Sequence, residues 1–167
     1  MWHPTMTRSS ALTTDRKDDI AAVRDRALRL LARREHSRKE LARKLAGMEE
    51  TENVETILQQ LAEAGWQSDV RFAEAFARQR LQQGYGPVRI RYELQQRGVE
   101  CSTLDALAAE LGGWEALIQR VYLKKYADHA PPTRAEWAKR CRFLQQRGFD
   151  FDAIEALRRA LHAGRDR

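Results

Sequence analysis

Apolar residues recur along this chain at intervals of three and four, the spacing that lines one face of an α-helix. Ile20, Val23, Ala27, Leu30 and Leu31 mark a first helix, Leu41 and Leu45 a second, and Val54, Ile57 and Leu61 a third. The plan then repeats. Phe72, Ala75 and Phe76, then Ile90 and Leu94, then Leu104, Leu107 and Leu111 make a second set of three. Leu117, Val121 and Tyr122, then Trp137, Cys141 and Leu144, then Ile154, Leu157 and Leu161 make a third.

The repeat has a measurable period. Val54, Leu104 and Ile154 are 50 residues apart, as are Ile57, Leu107 and Leu157, and Leu61, Leu111 and Leu161. The run Leu94 to Gly98 (LQQRG) returns letter for letter at Leu144 to Gly148, again 50 residues on. Such a period marks an internal structural repeat. We divide the chain into a flexible tail (1–16) and three-helix repeats over 17–67, 68–113 and 114–167. Each repeat alone is too small for a stable core, so the expected fold is all-α, with three tandem three-helix repeats stacked into an elongated, curved array.

Capping residues support these boundaries. Second helices open on Ser37 with Glu40, on Gly86 before Pro87, and on Thr133 with Glu136, devices that satisfy the orphan amides of a first turn. Third helices offer Ser102 with Asp105, and Asp152 with Glu155. Gly98 and Gly148, with Gly47 near the equivalent place, are expected to end the second helices in a left-handed conformation. Trp66 and Phe149 follow a turn glycine and are expected to dock against their helices.

Composition agrees with a helical chain: 24 Ala and 18 Leu stand against 6 Val and 5 Ile. No apolar run reaches the roughly 18 residues of a membrane span, and no hydrophobic signal core follows Met1, so a cytoplasmic protein without a membrane partner is expected. Cys101 and Cys141 lack any CxxC spacing and read as reduced, largely structural thiols.

The 30 Lys and Arg exceed the 24 Asp and Glu by only six, but the charges alternate in blocks. Residues 16–45 carry +6, 46–70 carry −6, 71–98 carry +4, 99–115 carry −4 and 116–149 carry +6. The first two helices of each repeat are therefore basic and the third begins acidic. We expect a basic stripe that includes Arg34, Arg38, Lys39, Arg78, Arg80, Arg89, Arg91, Lys124, Lys125, Arg134, Lys139, Arg140 and Arg147. A stripe of this kind tracks a phosphate backbone or an acidic protein groove. Solvated helix faces and internal neutralisation are the competing reading for any single residue. Among the tyrosines, Tyr85, held between Gly84 and Gly86, is the candidate for an exposed ring; Tyr92, Tyr122 and Tyr126 are expected mainly in the core.

Catalytic patterns are missing from the sequence. The histidines at 3, 36, 129 and 162 are scattered, and Gly84-Tyr85-Gly86 lacks the later residues of a phosphate loop and enters its helix through Pro87, which has no amide to offer. No nucleophile elbow or carboxylate pair is present, so neither an enzyme nor a cofactor is expected.

Four stretches, Gly65 to Phe76 (GWQSDVRFAEAF), Gly84 to Leu94 (GYGPVRIRYEL), Phe143 to Phe149 (FLQQRGF) and His36 to Leu45 (HSRKELARKL), resemble the RecX family of bacterial regulators. The resemblance covers nearly the whole chain after the tail and implies three tandem three-helix repeats. It also implies a cytoplasmic, non-enzymatic protein that binds the filament of the recombinase RecA and suppresses its growth, ATP hydrolysis, strand exchange and co-protease activity. Family members are thought to lie in the groove of the RecA–DNA filament, and some bind DNA. The partners so implied are the RecA filament and single- or double-stranded DNA, for a chain expected to be monomeric. The alternative from charge alone is a sequence-tolerant DNA-binding module, since three-helix units with basic second helices resemble helix-turn-helix readers.

Overall fold

A computed structural model describes residues 9–127 and 133–163. Among these residues the chain forms nine α-helices and no strand: α1 (Ser9–Leu31), α2 (Arg38–Leu45), α3 (Thr51–Glu63), α4 (Asp69–Gln82), α5 (Pro87–Gln96), α6 (Leu104–Ala109), α7 (Gly113–Tyr126), α8 (Arg134–Arg147) and α9 (Phe151–Ala163). They group in threes, as the fifty-residue period predicts. Helix α1 begins within the stretch expected as a tail; after Pro4 that stretch holds neither proline nor glycine, so its backbone carries nothing that stops a helix. Residues 1–8 of the tail lie outside the described residues.

The chain divides into two compact units, Met1–Asp69 and Val70–Arg167. In the first, α1, α2 and α3 pack on one another around Val23, Ala27, Leu41, Leu45, Val54, Ile57, Leu58 and Leu61. Each fully buried aliphatic side chain contributes about 1.5–3 kcal/mol. A small polar knot accompanies this core. Ser37 Oγ accepts from the Glu40 amide at 3.1 Å, the expected N-cap of α2. Asp69 Oδ1 accepts both the Arg38 amide and Gln67 Nε2 at 2.8 Å, and Gln67 Nε2 also donates to the His36 carbonyl. Gln67 is the buried side chain after the turn, whereas Trp66 is exposed, contrary to the docking expected of it. Both amides donate to the Leu61 carbonyl, and successive side chains cannot both face inward.

The second unit holds two further three-helix sets. Phe72, Ala73, Ala77, Leu81, Ile90, Leu94, Leu104, Leu107 and Ala108 form one core, with Leu117 of α7 added to it. Ile118, Tyr122, Leu144, Phe149, Ile154 and Leu157 form the other, and Trp114 packs against both. The buried alanines of α4 are Ala73 and Ala77; Ala75, expected with Phe72 and Phe76, is exposed. Positions 54, 104 and 154, and 57, 107 and 157, are buried in all three sets, but of the third layer only Leu61 is fully covered.

The second-helix caps at Gly86 and Thr133 form as expected, and Gly98, Gly148 and Gly47 all take positive φ. Two third-helix caps differ. At α6 no side chain caps the amides: the N-cap is Thr103, whose hydroxyl donates to Glu74, while Asp105 accepts from Arg91 and Trp114. At α9 the cap is Asp150, which accepts from the Ala153 amide at 2.9 Å, so the helix begins one residue before Asp152.

Candidate partner-binding surface

The second unit is organised around a meeting of its two most distinctive motifs. The Gly86 amide donates to the Arg147 carbonyl at 2.8 Å, and the Val88 amide donates to the Gly148 carbonyl at 3.1 Å. The first turn of α5, whose amides have no partner within the helix, is thus satisfied by the carbonyls that end α8. Gly86 has no side chain because none fits: a Cβ there would collide with the Gly148 carbonyl and lie 2.7 Å from the Phe149 nitrogen. Gly148, at φ 92°, ends α8 in the left-handed region and leaves no space for a Cβ beside Arg89.

Tyr85 sits at this junction, half-buried among three guanidinium groups. Arg89, Arg147 and Arg80 stand 4.5, 5.1 and 5.3 Å from its ring centroid, contacts worth about 0.5–1 kcal/mol each at partly exposed sites. Arg147 also donates to the Gln83 carbonyl at 2.9 Å and Arg89 to the Gln146 carbonyl at 3.0 Å. Tyr85 is thereby a joint between α4, α5 and α8, with little of its ring open to a partner.

Most of the expected basic stripe is neutralised within the chain. In the first unit Arg34 pairs with Glu40 at 3.1 Å, and Arg38 pairs with Glu55 and donates to Gln59. Lys39 is exposed and forms no ion pair among the described residues. In the second unit Arg78 pairs with Glu110 at 2.7 Å, Arg80 and Arg89 share Glu93 at 2.7 and 2.9 Å, and Arg91 pairs with Asp105 at 3.1 Å. Lys139 approaches Glu136 at 3.7 Å. Arg140 points inward instead of joining a surface: it is 6 % exposed and donates to the Tyr122 hydroxyl at 2.6 Å, with Glu136 nearby. Its i, i+4 spacing to Glu136 on α8 and the fully buried Tyr122 of α7 draw the guanidinium into the core. Burial opposes its charge, but these partners outweigh burial and hold its pKa above the ordinary value.

Of the expected stripe, the cations left without a carboxylate are Lys39 and four on α7 and α8; Arg33, Arg43 and Lys44 of the first unit also form no ion pair among the described residues. Lys124, Lys125, Arg134 and Arg147 form no ion pair among the described residues, and neither does Arg120, which the sequence reading did not single out. Its signal was the i, i+4 spacing to Lys124. Lys124 and Lys125 occupy the last turn of α7, where the helix dipole favours positive charge. Lys125 Nζ lies 3.6 Å from the Phe143 ring centroid. Arg120 donates to the Leu111 carbonyl at 3.0 Å.

Sequence reasoning also missed the outer face of α5. Tyr92 and Val88, one turn apart, are 60 % and 53 % exposed, and shallow hollows flank them. The signal was present: Ile90 and Leu94 are both core residues, and a residue two positions from each lies on the far side of the helix.

Thiol and imidazole chemistry is muted. Cys101 and Cys141 are unpaired and half-buried, and burial followed by the Glu155 carboxylate pushes the Cys141 thiol up, away from the reactive thiolate. Burial lowers the pKa of His36, whose Nδ1–H donates to the Arg34 carbonyl at 2.9 Å. No helix among the described residues is long and apolar enough to cross a membrane.

Comparison with known proteins gives three successive family matches: the first three-helix domain of RecX over residues 24–69, the second over 68–106 and the third over 115–157. The chain is 44 % identical over 142 residues to the regulatory protein RecX of Pseudomonas fluorescens, covering 84 % of this chain and 92 % of that one. The RecX protein of Halorhodospira halophila is likewise 44 % identical, over 137 residues, covering 81 % and 85 %. The fold is similar to the crystal structure of RecX from Lactobacillus salivarius, with a TM-score of 0.68 at 21 % identity over 88 % of this chain and 99 % of that one.

Proposed function

The chain belongs to the RecX family of regulatory proteins, and from that premise we propose that it binds the RecA recombinase filament and restrains it. ATP hydrolysis, strand exchange and co-protease activity fall together when the filament is held, so the effect reaches DNA repair and the SOS response. The protein acts by occupancy, without chemistry of its own, as a monomer in the cytoplasm. The observation that carries this reading is the set of cations on α7 and α8 that meet no carboxylate among the described residues, Arg120, Lys124, Lys125, Arg134 and Arg147, four of which line one cleft, whereas the stripe residues of α4 and α5 pair internally. Such a surface suits an acidic partner, whether protein or nucleic acid phosphate. Lys39 offers a further cation in the first unit.

The test is direct. Purified protein at stoichiometric ratio to RecA on single-stranded DNA slows ATP hydrolysis and strand exchange; undiminished rates overturn the proposal. A second reading, a sequence-tolerant DNA-binding module, is favoured by Tyr92, exposed on α5 beside Arg91 and Gln95, where a ring offers a face to an unpaired base. Tight binding to bare DNA with a steep salt slope and no effect on RecA selects that reading instead.

A further inference from the structure

Four of the uncompensated cations of α7 and α8 share one concave site. Arg120, Lys124, Lys125 and Arg147 line one cleft of about 430 Å³ between the end of α4, α7 and α8, and no carboxylate lines it. The volume lies within the range of pockets that take a side chain or small ligand. Its floor is aliphatic, made by Leu81, Leu117 and Val121. Both arginines are held in place by backbone carbonyls, Arg120 by Leu111 and Arg147 by Gln83, each through one terminal nitrogen. The rest of each guanidinium fork remains to donate. An anion is the natural occupant of such a rim.

The floor and the ring decide which anion. Phosphate alone gains nothing from aliphatic carbon, and a single-stranded nucleic acid needs an open aromatic face for its bases. The one ring lining the cleft, Phe143, is covered by Lys125 at 3.6 Å and approached by Arg147 at 5.4 Å. The exposed rings of the second unit, Tyr92 and Phe151, do not line it. An acidic peptide segment satisfies both requirements, with an aliphatic side chain on the floor and neighbouring carboxylates on the rim.

We propose that this cleft docks an acidic segment of a partner protein, one leucine-like side chain entering between Leu117 and Val121 while flanking Asp or Glu side chains meet Lys124, Lys125, Arg120 and Arg147. The inference rests on the reading that the chain acts by binding another protein, and it names the chemistry that the partner presents.

A short fluorescein-labelled peptide, one leucine between runs of three glutamates, tests it by anisotropy against the full chain. The expected result is salt-sensitive binding that Lys124→Glu with Lys125→Glu weakens about tenfold or more, with the helical circular dichroism of the folded chain preserved. Lys124→Ala with Lys125→Ala, which adds no new charge, weakens it to a smaller degree. Replacing the peptide's leucine by serine costs several-fold, and an oligothymidylate of equal formal charge does not compete. Absence of peptide binding, unchanged affinity in both double variants, indifference to the leucine, or competition by the oligothymidylate each overturns the proposal, the last by making the cleft a phosphate track. The RecA assay separates the two readings. Inhibition without peptide binding removes the cleft proposal alone, and peptide binding without inhibition removes the filament reading alone.

Discussion

Gly86 and Gly148 meet backbone to backbone: the residue that opens α5 and the residue that ends α8 stand so close that neither has room for a methyl group. Two helix ends satisfy one another there, because the free amides of one first turn face the free carbonyls of another last turn. The exposed and half-buried groups around the pair, Tyr85, Arg89 and Arg147, close over that contact.

Adding a single carbon at either glycine separates the surfaces. Gly148→Ala combines the strain of a positive φ with a clash against Arg89, and Gly86→Ala clashes with the Gly148 carbonyl. Each is expected to cost about 2–4 kcal/mol of stability in urea unfolding, with far-ultraviolet circular dichroism at low temperature little changed. Wild-type stability in either variant would show that the contact is slack.

The Tyr122 hydroxyl and the Arg140 guanidinium form a buried polar pair at 2.6 Å. Tyr122→Phe removes one partner and leaves a desolvated cation short of a hydrogen bond, at an expected cost of about 1–3 kcal/mol. A double-mutant cycle with Arg140→Met should return a coupling of roughly 1–2 kcal/mol; a coupling near zero dismisses the pair as a stabilising contact.

His36 makes the first unit sensitive to acid. Burial holds the folded imidazole below its usual 6.5, so between the two values the unfolded chain binds the proton more readily. The stability that neutral His36 contributes is fully present above about pH 6.5 and is lost as pH falls through the folded-state value. Arg34, Glu40 and Lys44 surround the ring, so the informative quantity is the difference between wild type and His36→Gln. That difference should narrow from about pH 7 toward pH 5 in urea unfolding, and a constant difference contradicts it.

Two arginine-to-glutamate or lysine-to-glutamate exchanges should behave in opposite ways. Arg89→Glu breaks the pair with Glu93, the hydrogen bond to Gln146 and the contact with Tyr85, and sets like charges together. It is expected to cost about 1–3 kcal/mol. Lys124→Glu touches no such network and should stay within about 1 kcal/mol of wild type while altering partner binding. Equal losses in both would place Lys124 in the fold and not in an interface.

The sequence by itself determined the helices, their grouping in threes and two of the three apolar layers they bury, because all of these follow from short-range spacing. Val54, Leu104 and Ile154 mark the same core position three times, and Ser37, Thr133 and Gly148 cap their helices through neighbours a few residues away. What the charged residues do could not be seen in the same way. Arg91 finds Asp105, Arg78 finds Glu110 and Arg140 finds Tyr122 across different helices, so part of what reads as a basic block in the sequence is engaged within the fold. Only the packing of α4, α7 and α8 decided that Arg120, Lys124, Lys125 and Arg147 share a cleft. Periodicity reports which face of a helix is apolar; the neighbour that each polar side chain meets is set by how helices distant in the chain are brought together.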